Sequence, residues 1–398
     1  MYDLNMKEIK FPEGLMPLDI FVGSIAKERA TETIEGRSGI VDYGTNYVDR
    51  PVELSMWINS SDTTDYRLLR NELYALFDTG NAFYIEETRV PSRVLKVAVD
   101  ESFIPDRLTI RNASVDVTCR TLDSVFWESK YTTLELHDNG YSATAEKYGL
   151  VDNIDDEKVK YRFYPEILTQ NVGANTFKNG FLSSTTGQES SSTKNLIITS
   201  YVNVVTGNTY EFIDEGWNAS IQYWWIYEYD DNNNFIKSHS FSNKQFNFVP
   251  EGKNLKFMAQ SYNDNVLKAS DVGVSGSGKS IIPLLKRPST VNTFSVYNAG
   301  NVTVEPESMY ISLAFLYSSI LDDKLVIKNK TTGDVFEYLK PQIRRNLRLD
   351  GMNVTVAGIQ AFRDTNKRFI SLTPGLNEFE VTGGVFDQAT IDFKFYYK

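Results

Sequence analysis

Alternation of apolar and polar positions dominates the chain. In PVELSMWI the residues Val52, Leu54, Met56 and Ile58 share one face, the period of a half-buried strand. SVDVTCR repeats the pattern with Val115, Val117 and Cys119 against Asp116, Thr118 and Arg120. One segment has a different period. In TTDYRLLRNELYALFDTGN, Tyr66, Leu69, Leu73, Leu76 and Phe77 recur at helical spacing, with a Ser/Thr/Asp cluster at 60–65 to cap the start and Gly80 to end it. Strand patterns resume in AFYIEE and RVLKVAV. Residues 1–128 are therefore expected to form a β-barrel-like unit with one packed helix.

The far end alternates too. TFSVYNAGNVTVEPESMYISL (293–313) and FISLTPGLNEFEVTGGVFDQATIDFKFYY (369–397) read as short strands broken at Asn298–Asn301, Thr373–Asn377 and Gly383–Gly384. Val302 and Val304 point one way, Thr303 and Glu305 the other, which is sandwich patterning. Between these ends, NLIITSYVNVVTGNTYEF, SIQYWWIYEYDDNNNFIKS and KQFNFVPEGKNLKFMAQ read as hairpins joined by Asn/Asp/Gly turns. The fold class is mostly β.

Composition narrows the function. A net charge of −11 argues against nucleic acid or an anionic membrane as partner. No apolar run reaches the length of a membrane span, and MYDLNMKEIKFPEG lacks the basic start and apolar block of a signal peptide. The single cysteine, Cys119, excludes an intrachain disulfide and fits synthesis in a reducing compartment. With only two histidines, His137 and His239, a His-pair zinc motif is excluded. Both read as polar turn or strand-end positions, and neither has an identifiable nucleophile and orienting partner. No catalytic residue, cofactor or metal ligand is assigned.

One motif points elsewhere. GVSGSGKS (273–280) satisfies the phosphate-loop pattern through Gly273, Gly278, Lys279 and Ser280, which raises an ATP-binding enzyme as an alternative. Such a loop needs a buried strand before it and a helix opening at its Lys-Ser end. Upstream, SYNDNVLKASDV is a poor buried strand, and downstream Pro283 would interrupt a helix just past its first turn. No strand–helix alternation surrounds it. The stretch reads as a Gly/Ser linker.

EGRSGIVDYG (35–44), the helix ending in LFDTGNAFYI (76–85) and RNASVDVTCRTLDSVFWES (111–129) together resemble the N-terminal domain of the distal tail proteins of long-tailed phages that infect Gram-positive bacteria. The patterns at 293–313 and 369–397 resemble the opening and closing strands of that family's galectin-like β-sandwich. The resemblance implies a virion protein, made in the host cytoplasm, that forms a hexameric ring at the tail tip or baseplate. It also implies contacts with the tail tube protein, the tape measure protein, a tail-associated lysin and a receptor-binding protein. The lack of a signal peptide counts against a third reading, a free bacterial surface adhesin.

The family plan would join residue 163 almost directly to residue 290. The expected division is thus 1–128, then 129–163 with 288–398 as the galectin-like domain, and 164–287 inserted in a surface loop. ILTQNVGANTFKNG forms part of the lead into the insert and GVSGSGKS, with the prolines after it, its return linker. The insert resembles jelly-roll modules of carbohydrate-binding type, with VTGNTYEF and YEYDDNNNFI as the matching pieces.

Stacking of a pyranose C–H face on an aromatic ring gives such binding a physical basis. The insert offers Trp217, Trp224, Trp225 and Tyr227 as candidate stacking rings and Asn218 and Glu228 as candidate polar partners, with host cell-wall polysaccharide as the ligand. Alternation puts Tyr223, Trp225, Tyr227 and Tyr229 on one face and Trp224, Ile226 and Glu228 on the other. One face must be core, and Trp217, in the turn-like DEGWNAS, is the best candidate for an exposed ring. DDNNN (230–234) has calcium-loop spacing but carries Phe235 at the sixth position and Phe241 at the twelfth, so a hairpin turn is expected there.

Overall fold

The computed structural model describes residues 1–78, 80–90, 92–138, 161–216, 218–263, 265–320 and 324–398. Its strands fall into three groups, each with its own core.

The first group is an eight-stranded sheet. Its path runs Leu15–Val22, Pro51–Asn59, Asn112–Thr121, Arg93–Val99, Trp127–Ser129, Tyr396–Tyr397, with Phe83–Glu86 and Asp106–Arg107 paired alongside. The register sets Leu54 beside Val117 and Met56 beside Val115, so the alternating apolar residues of both strands line one face. Helix α1 (Thr63–Phe77) covers that face with Tyr66, Leu69, Leu73 and Phe77. Each such side chain contributes about 1.5–3 kcal/mol on burial. Asp62 starts α1: its carboxylate accepts from the backbone of Thr64 at 2.7 Å and Asp65 at 2.9 Å. A separate, largely exposed hairpin, Lys27–Glu32 with Val41–Tyr47, extends from this unit.

The second group is a sandwich. One sheet orders Arg162–Phe163, Gln388–Phe393, Ile311–Ile320, Gln342–Asp350, Asn353–Val356 and Ile359–Gln360. The other orders Val291–Asn298, Gly375–Thr382, Leu325–Asn329 and Val335–Tyr338. Phe315, Phe336, Phe379 and Phe393 fill the space between them. Val302 and Val304 are buried as expected, but through a bridge from Val304 to Leu372 rather than in a strand. Two further features depart from the sequence reading. LELHD lies in a short helix, α2 (Thr133–Asp138), so His137 is helical. Tyr396–Tyr397 leave the sandwich and pair with Glu128 and Trp127 of the first sheet.

The third group stacks a four-stranded sheet (Ile167–Asn171, Pro283–Pro288, Tyr210–Asp214, Gln245–Phe248) on a six-stranded one. The latter orders Phe177–Asn179, Leu196–Ile198, Asn254–Ser261, Ile221–Tyr229 and Phe235–Phe241, with Val202–Asn203 also on Asn254–Ser261. Phe212, Trp224, Ile226, Phe257 and Leu285 pack between them. A small hairpin, Phe181–Leu182 with Glu189–Ser190, lies over the outer face of the six-stranded sheet, where Leu182 joins Ile197, Tyr227, Tyr229 and Met258 in a second cluster.

The proline-bearing end of the expected return linker is a strand. Pro283–Pro288 pairs with both Ile167–Asn171 and Tyr210–Asp214, and its prolines stand at its two ends. Proline is tolerated at the first residue of a strand and where its missing N–H would not serve the ladder.

Candidate functional site

The aromatic strand Ile221–Tyr229 is central to the third group: Asn254–Ser261 pairs on one side and Phe235–Phe241 on the other. Trp224 and Ile226 point into the main core, as strand alternation requires. Trp224 is 2% exposed, its ring 4.9 Å from that of Phe212, and its indole Nε1 donates to Asp214 Oδ2 at 3.3 Å. The expectation that Trp224 offers an open stacking ring is corrected: it is core.

Glu228 is also withdrawn from any ligand. It is buried, and its Oε2 accepts from the backbone N–H groups of Glu251 at 2.6 Å and Gly252 at 3.0 Å. Its Oε1 lies 3.1 Å from His239 Nε2, which places His239 within a strand as the partner of a buried carboxylate. This carboxylate ties the 251–252 turn to the sheet.

On the outer face, Tyr227 and Tyr229 are sealed by the 181–190 hairpin and its loop. Tyr227 donates its hydroxyl to the Leu182 carbonyl at 2.7 Å and Tyr229 to the Gly187 carbonyl at 3.0 Å. Burial pushes the pKa of both phenols well above the ordinary tyrosine value. Gly187 sits at φ +67, and a Cβ there would come within 2.5 Å of the Phe235 ring, so glycine permits the loop to lie this close. Lys178 and Lys256 both pair with Glu189 on the hairpin, and those two lysines hold its carboxyl below the usual range.

Of the candidate rings, Trp225 alone is described as partly open. Its indole Nε1 donates to Gln260 Oε1 at 2.6 Å, and its ring lies 6.1 Å from that of Tyr227 at 27°. Tyr223, two residues earlier on the same face, is also half-buried and stands opposite Gln260 in the register. Ser240 stands opposite Trp225 and is exposed. Trp217 lies outside the described residues. Asn218 is half-buried and committed to its own loop, donating to Ser280 Oγ at 3.2 Å and accepting from the Ser220 backbone at 3.0 Å. Gln260 and Ser240 were not among the sequence candidates. KFMAQ does alternate Lys256, Met258 and Gln260 onto one face, but which strand they would neighbour is not written in a local pattern.

The 273–280 motif forms no phosphate cradle. Val272 and Ile281 bridge its ends, and the chain continues into a strand where a nucleotide fold requires a helix. Its residues are tied to the turn before Asn218: Ser275 donates to Glu215 and Ser280 accepts from Asn218. Lys279 is exposed. DDNNN is a hairpin turn in which Asp230 accepts from the backbones of Asn232 and Asn234, both at 2.8 Å. Among the described residues no cluster of three or more His, Cys, Asp or Glu side chains is placed to hold a metal ion, and no helix is long and apolar enough to cross a membrane.

A known family covers α1 and, up to residue 119, all strands of the first sheet except Trp127–Ser129 and Tyr396–Tyr397. Residues 5–119 match the family described as the phage tail protein RIFT-related domain. The matched stretch contains or overlaps all three motifs from which the resemblance was read. Among solved structures, the chain is similar to the Dit protein of phage SPP1, described as a paradigm of the hub adsorption apparatus in phages infecting Gram-positive bacteria. The identity is 9% and the TM-score 0.37, over 97% of this chain and 95% of that one. It is also similar to a chain of the phage P2 baseplate in its activated conformation, at 8% identity and a TM-score of 0.29, over 94% of this chain and 90% of that one. No curated protein sequence matches significantly.

Proposed function

We propose that this protein is a structural hub of a phage tail tip, with the module 164–287 inserted into the 129–163 and 288–398 sandwich to bind host cell-wall saccharide. The match of residues 5–119 to a phage tail protein domain carries the hub reading. The surface of that unit supports self-association. The edge strand Leu15–Val22 exposes Met16, Leu18 and Phe21, and Ile104, Leu108 and Ile110 of the same unit are exposed too. An exposed strand edge with large apolar side chains is a template for pairing with another copy. A hexameric ring in the virion, joined to tube, tape measure, lysin and receptor-binding proteins, is the assembly this reading implies. The two stacked sheets of residues 167–288 and the partly open Trp225 support saccharide binding.

The mass of the purified chain in solution tests the hub. A ring of about six copies, as the family resemblance implies, closed by head-to-tail contacts between neighbours, is expected. A chain that stays monomeric at micromolar concentration overturns the reading.

A further inference from the structure

We propose that the uncovered end of the outer face, built by Tyr223, Trp225, Ser240 and Gln260, is the binding site for a neutral hexose unit of a polysaccharide. The inference rests on the saccharide-binding reading of this module and assigns the residues that carry it.

Four aromatic side chains follow one another on this face, at positions 223, 225, 227 and 229. The 181–190 hairpin covers the last two and stops short of the first two. Tyr227 and Tyr229 are buried with their hydroxyls bound to its carbonyls, while Tyr223 and Trp225 keep part of their surface open. Residues two apart on a strand lie about 7 Å from each other, so the two open rings span roughly one to two pyranose units.

The platform is held in advance. Trp225 is fixed at its Nε1 by Gln260 and along its ring by Tyr227. An aromatic ring already locked in place loses little freedom when a ligand stacks on it. The same bond uses Gln260 Oε1, which leaves the amide nitrogen to donate to a sugar hydroxyl. Ser240, opposite Trp225, adds a hydroxyl that can donate or accept.

Charge selects the ligand class. The four side chains are uncharged. Lys178, Lys256 and Glu189, charged groups of this face, sit under or beside the hairpin; they leave one net positive charge, but both lysines are tied to Glu189 and Lys256 also lies 4.8 Å from the Tyr201 ring, so neither is one of the four side chains of the site. A site whose own four side chains offer stacking and hydrogen bonds but no charge suits neutral sugars rather than anionic wall polymers.

The test uses the full chain and its Trp225→Ala, Gln260→Ala and Tyr227→Phe variants. Probes are neutral tetrasaccharides of glucose, galactose and N-acetylglucosamine, polysaccharide released from Gram-positive walls, and polyglycerol phosphate. The wild type is expected to bind at least one neutral probe, with Trp225→Ala weakening it ~10-fold, the scale of one stacking contact. Gln260→Ala should weaken it by less, and Tyr227→Phe should leave it unchanged. If Trp225→Ala does not fold, a shift of the Trp225 indole N–H resonance on titrating the wild type replaces it, and its absence while binding occurs overturns the site. Wild-type binding that survives Trp225→Ala overturns the site but leaves the saccharide reading standing. No binding to any wall saccharide overturns both. Preference for polyglycerol phosphate overturns the neutral-sugar assignment. A change of mass in solution for Trp225→Ala makes the patch an interface between copies, which also overturns it.

Discussion

Ser289 donates its backbone N–H to the Glu166 carbonyl at 2.7 Å, one step outside the paired strands Ile167–Asn171 and Pro283–Pro288. The chain leaves the sandwich and returns to it across a single hydrogen-bonded rung. Asn292 reinforces the junction, accepting from the Glu166 N–H at 3.1 Å and donating to the Ser289 carbonyl at 2.9 Å. Excising 167–288 and joining Glu166 to Ser289 through a short Gly-Ser turn should therefore leave the rest folded and its oligomeric state unchanged. Light scattering of the deletion variant checks this; a monomer from a chain that otherwise forms rings contradicts the insertion.

Trp224→Ala should destabilise the third group by about 3–5 kcal/mol, the range for removing a large buried aromatic side chain. It also leaves Asp214 without its indole donor. Trp225→Ala, at a half-exposed site, should lower stability by less. Urea unfolding followed by hydrogen exchange within 167–288 separates the two.

Glu228→Ala removes the acceptor of two backbone donors, at Glu251 and Gly252, and the partner of His239. A loss of about 2–4 kcal/mol is expected from orphaning those groups. Glu228→Gln keeps an acceptor oxygen and should recover part of it. Equal losses for the two variants in chemical denaturation would show that the side chain's volume, not its hydrogen bonds, holds the turn.

Burial raises the pKa of Asp214 above the ordinary aspartate value, against the opposing effect of its hydrogen bonds from Ile282, Gly216 and Trp224. Ionising this carboxyl is harder in the folded than in the unfolded chain. Its contribution to stability is full below the ordinary aspartate pKa and is lost as pH rises through the raised value. Asp214→Asn cannot titrate. The difference in stability between the two should move in the variant's favour from about pH 4 to about pH 7, read from their melting midpoints. A difference that stays flat would mean that the carboxyl's folded pKa is ordinary.

Lys279→Ala should change neither melting temperature nor nucleotide binding, because an exposed loop lysine makes no buried contact. ATP binding by the wild type that this substitution abolishes would restore the phosphate-loop reading. Equilibrium dialysis with labelled ATP decides it.

Local patterns carried much of this fold. Tyr66, Leu69, Leu73 and Phe77 are the residues α1 buries, and Val52, Leu54, Met56 and Ile58 are all buried on one face of their strand. In both cases the period of the element and the side it buries are encoded within a few residues. The site was less legible. Alternation separates Trp224 from Trp225 but cannot say which face is covered, because the cover over Tyr227 and Tyr229 comes from Leu182 and Gly187, more than thirty residues upstream. Pro283 and Pro288 beside a Gly/Ser run read as a linker, since their tolerance depends on partners at Asp214 and Ile167. Tyr396 and Tyr397 alternate like any sandwich strand, and only the long-range register assigns them to the first sheet.

That register has a consequence for synthesis. The first sheet starts at Leu15, yet its outer strand is Tyr396–Tyr397. A nascent chain can assemble α1 and its neighbouring strands early, but the edge Trp127–Ser129 stays bare until residue 397 has left the ribosome. Closure brings the Tyr397 ring to 3.6 Å from the Arg93 guanidinium and Lys394 to 2.7 Å from Glu128. A product truncated anywhere in the module or the sandwich lacks all of this and presents an unpaired edge, open to proteolysis and to wrong partners. The edge of the unit made first is thus closed by a strand that follows the whole of the module and the sandwich in the chain.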